Sequence, residues 1–152
     1  MYGVSKISSE QNIMLTTFPS IQYSAGKLAD CLDVFAKAGI VVDMICQSAP
    51  HSDRVDVSFT TSYSNFSAVM KALPEAAKDN PPMISGGFSK VNLFGEEMVT
   101  SCGVAARAMR ALAAVGVEVI LITTSDLDIS VLIRQQDEDA ALSALQQAFE
   151  LS

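Results

Sequence analysis

Gly26, Gly39 and Ser48 recur as Gly103, Gly116 and Ser125, each 77 positions further on. Between the glycines, Phe35-Ala36-Lys37-Ala38-Gly39-Ile40-Val41-Val42-Asp43-Met44-Ile45 is echoed by Leu112-Ala113-Ala114-Val115-Gly116-Val117-Glu118-Val119-Ile120-Leu121-Ile122. A period of that length is too long for a solenoid unit and suits a small domain present twice. A chain of 152 residues can bury one ordinary core, or two small cores packed on each other. Hydrophobic residues make up 49% and charged residues 18%, near globular averages, which argues against wholesale disorder. The net charge of −7, with no basic cluster to offset it, disfavours a phosphate backbone as partner. Nucleic acid is not expected.

The opening Met1-Tyr2-Gly3-Val4-Ser5-Lys6 reads as no signal peptide. The apolar runs fall short of the roughly 18 residues that cross a bilayer. The expectation is a soluble, cytoplasmic protein with no membrane partner. Cys31, Cys46 and Cys102 are odd in number and widely spaced, and the lone histidine, His51, sits in a polar segment. They are read as free thiols, with no zinc site, metal or cofactor expected.

Local patterns give each copy the same order. Ile13–Phe18 reads as a strand closed by Pro19-Ser20, and a helix opened by Gly26 carries Leu28, Leu32, Phe35 and Ala36 before Gly39 stops it. Ile40–Gln47 and Val55–Thr60 are strands flanking the polar turn His51-Ser52-Asp53-Arg54. A second helix with Phe66, Val69, Met70 and Leu73 runs toward Asn80-Pro81-Pro82, and Met83-Ile84-Ser85 supplies a fourth strand. In the second copy the elements are a strand at Lys90–Phe94, a helix with Val104, Ala108, Leu112 and Ala113, strands at Val117–Thr123 and Asp128–Arg134, and a helix opened by Asp137-Glu138-Asp139.

That order is the split βαβ pattern of a ferredoxin-like module. The fold class expected is α+β, with two βαββαβ modules. The second copy has no room for a fourth strand before Ser152, whereas Gly3–Ser8 is strand-like and unassigned. Because open sheet edges are a liability, residues 3–8 are expected to cross over and complete the second module. The modules would be 13–86 and 3–8 plus 89–152, interlocked rather than strung in a line.

Gly39–Ser48 followed by Asp56-Val57-Ser58-Phe59-Thr60 resembles the first ACT domain of aspartate kinase, and Ile122–Ile133 with Ala144–Phe149 is similar to the second. The resemblance covers nearly the whole chain and extends to Gly3-Val4-Ser5, a segment that in that family contributes a strand to the second module. The amino-acid kinase domain that precedes this region in aspartate kinases has no counterpart here. Gly86-Gly87-Phe88-Ser89 lacks the spacing of a phosphate loop. The resemblance implies a regulatory part without its kinase, either a natural short subunit, an excised piece or a freestanding relative.

A free amino acid needs donors for its carboxylate and acceptors for its ammonium, and helix N-termini provide the former. The loop Tyr23-Ser24-Ala25-Gly26-Lys27 leads into such a terminus, where Gly26 lets a ligand approach the backbone. Strict alternation along the next strand puts Asp43 and Gln47 on one face, with Ile45 between them. Effector contacts are therefore expected at Ser24, Ala25, Gly26, Lys27, Asp43, Met44 and Gln47; the resemblance supports Asp43 and Gln47 and implies that Ser125 and Asp126 close the site from the second module. The plainer alternatives are a relaxed turn at Gly26, a solvated Asp43 beside a dimer seam, and a capped turn at Ser125.

Where relatives often carry Asp-x-Pro-Gly, this chain has Gln22-Tyr23-Ser24-Ala25-Gly26. In the second copy it has Ser101-Cys102-Gly103 in place of a common His-Pro-Gly, and Ile120 in place of an acid. Lysine and threonine are the effectors implied by the resemblance. The expected function is an allosteric regulatory domain or subunit of an aspartate kinase, dimeric and able to partner a catalytic subunit. The alternative is a freestanding ACT-pair protein serving as an amino-acid sensor or dimerisation module. No constellation of acid, base and nucleophile supports an enzyme in its own right.

Overall fold

The structure, a computed structural model, describes residues 2–76 and 81–151. Its elements are β1 (Lys6–Gln22), α1 (Ala25–Lys37), β2 (Ile45–Gln47), β3 (Arg54–Ser62), α2 (Phe66–Ala76), β4 (Met83–Phe94), α3 (Val104–Ala114), β5 (Leu121–Thr124), β6 (Asp128–Arg134) and α4 (Glu138–Ala148). The chain divides into a central unit, Asn12–Gly86, and a split unit that joins the residues up to Gln11 with those from Gly87 onward. Each unit is mixed α and β with an antiparallel sheet, as the α+β reading expected.

In the central unit β3 lies between β2 and β1, with registers Ile45↔Phe59, Gln47↔Val57 and Ile13↔Ser62 through Phe18↔Val57. Its core gathers Met14, Phe18, Phe35, Val55, Val57, Phe59, Val69 and Leu73. Phe18, Phe35 and Phe59 meet edge to face, with ring centroids 5.4–6.5 Å apart, a geometry that sets the positive edge of one ring against the negative face of the next. In the split unit β6 lies between β4 and β5, with Phe88↔Arg134 through Phe94↔Asp128 on one side and Leu121↔Leu132 on the other. Val4, 1% exposed, packs into the same core as Leu93, Val104, Leu112, Leu145 and Phe149. The Ser5 N–H donates to the Phe94 carbonyl at 2.8 Å, so the segment after Gly3 runs beside β4.

The two copies end their first helices identically. The Ile40 N–H reaches the Phe35 carbonyl at 2.9 Å and the Gly39 N–H reaches Ala36 at 3.1 Å; Val117 and Gly116 repeat this on Leu112 and Ala113 at 3.0 and 3.1 Å. This is the Schellman arrangement, completed by contact of buried Ile40 with Phe35 and Val117 with Leu112. It needs a left-handed residue, and Gly39 and Gly116 have φ of 71° and 73° with no atom within 4 Å of an added Cβ. Gly39→Ala or Gly116→Ala is therefore expected to cost about 1 kcal/mol through backbone conformation alone, read as a lower urea midpoint at unchanged slope.

Several boundaries differ from expectation. Residues 3–8 and 13–18, expected as separate strands, fall largely within one strand of 17 residues, and the strands expected at 83–85 and 90–94 are both parts of β4. Pro19-Ser20 does not close β1. Proline cannot donate to a ladder, so the register shifts between Phe18 and Ile21 at a bulge instead. Ser20 turns to φ 51° and its N–H is taken by Asp56 Oδ1 at 2.8 Å. The helix stop expected at Asn80-Pro81-Pro82 begins at a residue, Asn80, outside the described ones. The strands expected at 40–47 and 117–123 are regular only over Ile45–Gln47 and Leu121–Thr124.

Candidate functional site

Ser24 precedes α1 in extended conformation, and its Oγ accepts the Lys27 N–H at 3.0 Å, while the Leu28 N–H goes to the Ser24 carbonyl. A helix's first four N–H groups lack partners within the helix, so Ala25 and Gly26 present theirs outward on an exposed turn. A Cβ added to Gly26 would meet nothing nearer than Ser24 Oγ, at 3.9 Å. The loop is tied down by the Tyr23 N–H donating to the Asp53 carbonyl at 2.8 Å. Ser52 and Asp53, at φ 51° and 62°, form a two-residue turn between His51 and Arg54, which exchange both backbone bonds. The expected polar turn at 51–54 is thus the support of the α1 loop.

β2 is the edge strand of the central unit. The alternation expected to align Asp43 with Gln47 is interrupted. Both Asp43 and Met44 answer to the single residue Thr60: the Asp43 N–H bonds its carbonyl at 3.0 Å, the Met44 N–H bonds its Oγ1 at 2.8 Å, and the Thr60 N–H returns to the Met44 carbonyl at 3.1 Å. Ile45 and Gln47 lie opposite Phe59 and Val57, whose side chains are in the core, and Ile40 and Val42 also pack on that core. A strict period of two cannot place 40, 42, 45 and 47 on one face, so the extra residue at 43–44 is a bulge that re-aims Asp43. Gln47 keeps the helix-bearing face; Asp43, still exposed, leaves it. The Met44 side chain is 3% exposed, so it packs inside instead of offering a ligand surface.

Ser125 and Asp126 belong to the split unit, at the connection between β5 and β6. The Ser125 hydroxyl accepts the Leu127 and Asp128 N–H groups at 3.3 and 3.2 Å and donates to Asp128 Oδ1 at 2.7 Å, which uses its full capacity within the turn. Asp126 is exposed beside it. The Ser125 hydroxyl and then the Asn92 amide hold the Asp128 carboxyl below its ordinary range against a smaller desolvation effect, with Lys90 adding attraction. A depressed carboxyl contributes stability above its unfolded pKa, about 4, and loses it as pH falls through the folded value. Asp128→Asn should accordingly flatten the fall in urea midpoint below about pH 4 while leaving the neutral-pH slope unchanged. Burial, then Asp30, raises the Cys31 thiol against Lys27, which fits an unreactive core cysteine.

The second copy lacks the equipment of the first. Gly103, at φ 76°, precedes α3 without a side-chain cap, and Ile120 is half-buried with its N–H on Leu132. Gly3 lies against the same helix start: a Cβ on it would fall 2.9 Å from Ser101 Oγ and 3.2 Å from Val104 Cγ2. No group of His, Cys, Asp and Glu among the described residues could hold a metal ion. No described helix is long and apolar enough to cross a membrane.

Comparison with known proteins places this geometry in a family. Residues 91–149 match the pattern described as ACT domain. A solved aspartokinase of alpha and beta subunits is 30% identical with a TM-score of 0.86, and the likeness covers 97% of this chain and 99% of that one. The chain belongs to the ACT-domain regulatory region of the aspartokinases. The ligand-free regulatory subunit of aspartate kinase from Thermus thermophilus is 27% identical, with a TM-score of 0.88 and coverage of 97% and 99%. The aspartokinase of Corynebacterium glutamicum is 34% identical over 98% of this chain but 36% of its own length. The aspartokinase-like chain thus spans about a third of the curated relatives it matches, and its role is that of a regulatory, allosteric ACT region.

Proposed function

We propose that this aspartokinase regulatory chain senses an amino-acid end product, lysine and/or threonine, and passes the signal to a catalytic aspartate kinase subunit in the cytoplasm. The observation that carries the reading is the end-to-end likeness to an isolated aspartate kinase regulatory subunit, with 97% and 99% coverage. The central unit supplies the chemistry. The outward N–H groups of Ala25 and Gly26 suit a carboxylate, and Lys27 adds positive charge beside them. Asp43 suits an ammonium, and Gln47 can donate and accept. Because β2 is an edge strand, a ligand lying along its free side meets residues of both sheet faces, so the bulge does not separate Asp43 from Gln47 for such a ligand. The same open edge suits pairing with a second copy, and a homodimer is expected.

A thermal-shift panel with lysine, threonine, methionine and related amino acids tests the reading. Millimolar lysine or threonine should raise the melting temperature, since a ligand held by the folded state alone stabilises it by mass action. No rise with any amino acid would contradict it. The uncapped Gly103 and the apolar Ile120 favour a second reading, a freestanding sensor or dimerisation module. Recovery of a kinase subunit with the tagged chain would exclude that one.

A further inference from the structure

Among the described residues the buried hydroxyl side chains are Thr16, Thr60, Thr61, Ser89 and Ser130. Three of them have a protein partner. Thr60 Oγ1 accepts the Met44 N–H at 2.8 Å, Ser130 Oγ accepts the Asn92 amide at 2.9 Å, and the Ser89 hydroxyl donates to the Glu138 carboxylate. Thr16 and Thr61, 0% and 2% exposed, have no hydrogen-bond partner for their Oγ1 atoms. These two are neighbours. Thr61 lies opposite Met14 and Thr16 opposite Phe59 in the β1–β3 ladder, so they take diagonal positions across it. Met14 and Phe59 belong to the core of the central unit. Alternation along each strand therefore puts both threonines on the helix-bearing face of that unit's sheet.

We infer that Thr16 and Thr61 hold an internal water molecule between them, inside the core of the central unit. A hydroxyl closed off from solvent without a partner is costly to folding, and buried polar groups are paired with protein or with ordered water. One water serves both threonines. Diagonal positions on an antiparallel pair set the Cβ atoms about 7 Å apart or less. A water bonded to two oxygens at about 2.8 Å each bridges about 5 Å, and the two C–O bonds cover the remainder. Each hydroxyl carries one donor and two acceptor sites, so one threonine can donate to the water while the other accepts from it. Met14, opposite Thr61, adds a thioether sulfur as a weak third partner. The surroundings are otherwise apolar, which rules out an ion, because a buried charge needs a charged partner or several polar ones. A neutral molecule with two to four polar partners is what such a site takes. The inference is independent of any amino-acid effector.

A high-resolution crystal structure of the intact chain and a double-mutant cycle provide the test. The crystal should show a water within about 3.2 Å of both Oγ1 atoms. Two threonine oxygens with no water between them would overturn the inference. In urea unfolding, Thr16→Val and Thr61→Val should each lower the folding equilibrium constant roughly five- to thirty-fold, since losing one hydroxyl leaves the other without its bridge. The double variant should cost far less than the two single losses combined, because no hydroxyl is then left stranded. Hydroxyls that share no water give the opposite pattern: each valine stabilises the chain or leaves it unchanged, and the effects add. The crystal structure needs no substitution, so it decides the matter should a valine variant fail to fold.

Discussion

Gly95→Ala is expected to drive the Tyr2–Ser5 segment from its seat and destabilise the split unit by about 3 kcal/mol or more. An alanine Cβ at this position would lie 1.7 Å from the Gly3 carbonyl oxygen, 2.8 Å from its carbon and 3.0 Å from the Val4 Cα. These are backbone atoms, which cannot rotate away. Gly3 cannot retreat either, because its other side faces Ser101 and Val104. Expelling the segment exposes Val4 and breaks the Ser5 bond to Phe94. It also parts the Tyr2 ring from the Arg107 guanidinium stacked 3.6 Å above it. Urea unfolding would give the loss, and tryptic cleavage after Lys6 would show where it falls. Gly116→Ala is the control, since it meets open space and loses only backbone freedom. Equal costs for the two variants would mean that the seat tolerates a methyl group.

Asp43→Asn is expected to weaken amino-acid binding by roughly ten- to a hundred-fold, the range for a hydrogen bond to a charged partner. Stability should change by about 0.5 kcal/mol or less, as Asp43 is exposed and its backbone bond to Thr60 is kept. Gly26→Ala separates the same two quantities at the other end of the site. It should stabilise α1 by up to about 1 kcal/mol and still weaken binding, because the methyl group stands where a carboxylate would approach. Titrations of both variants alongside their melting curves would check this. An unchanged affinity in Asp43→Asn would remove that residue from the site.

The helices were legible because their stops are chemical: Gly39 and Gly116 sit where a left-handed residue is required. The αβ repeat was legible for the same reason, up to Ser48 and Ser125. Beyond them the copies slip. Ser48 pairs with Asp56, whereas Ser125 pairs with Asp128, so the first hairpin holds more residues and the constant offset is lost. The length of β1 was hidden because Pro19 reads as a terminator, while a bulge and the Asp56 side chain absorb it. At the candidate site, residue types pointed to Ser24, Asp43 and Gln47, but alternation could not reveal that Asp43 and Met44 share Thr60. That bulge depends on a hydroxyl from another strand, and no local pattern carries it. The hydrogen bonds of the Ser125 hydroxyl to Asp128 were not legible either, because they depend on how the turn closes.

Calorimetric titration of the intact chain with lysine, and separately with threonine, tests the central claim most directly. A saturable heat with one of them, lost or weakened in Asp43→Asn and absent for glycine, is the predicted result. Flat titrations with both at millimolar concentration, from chain shown to be folded by its melting curve, would contradict the sensing role.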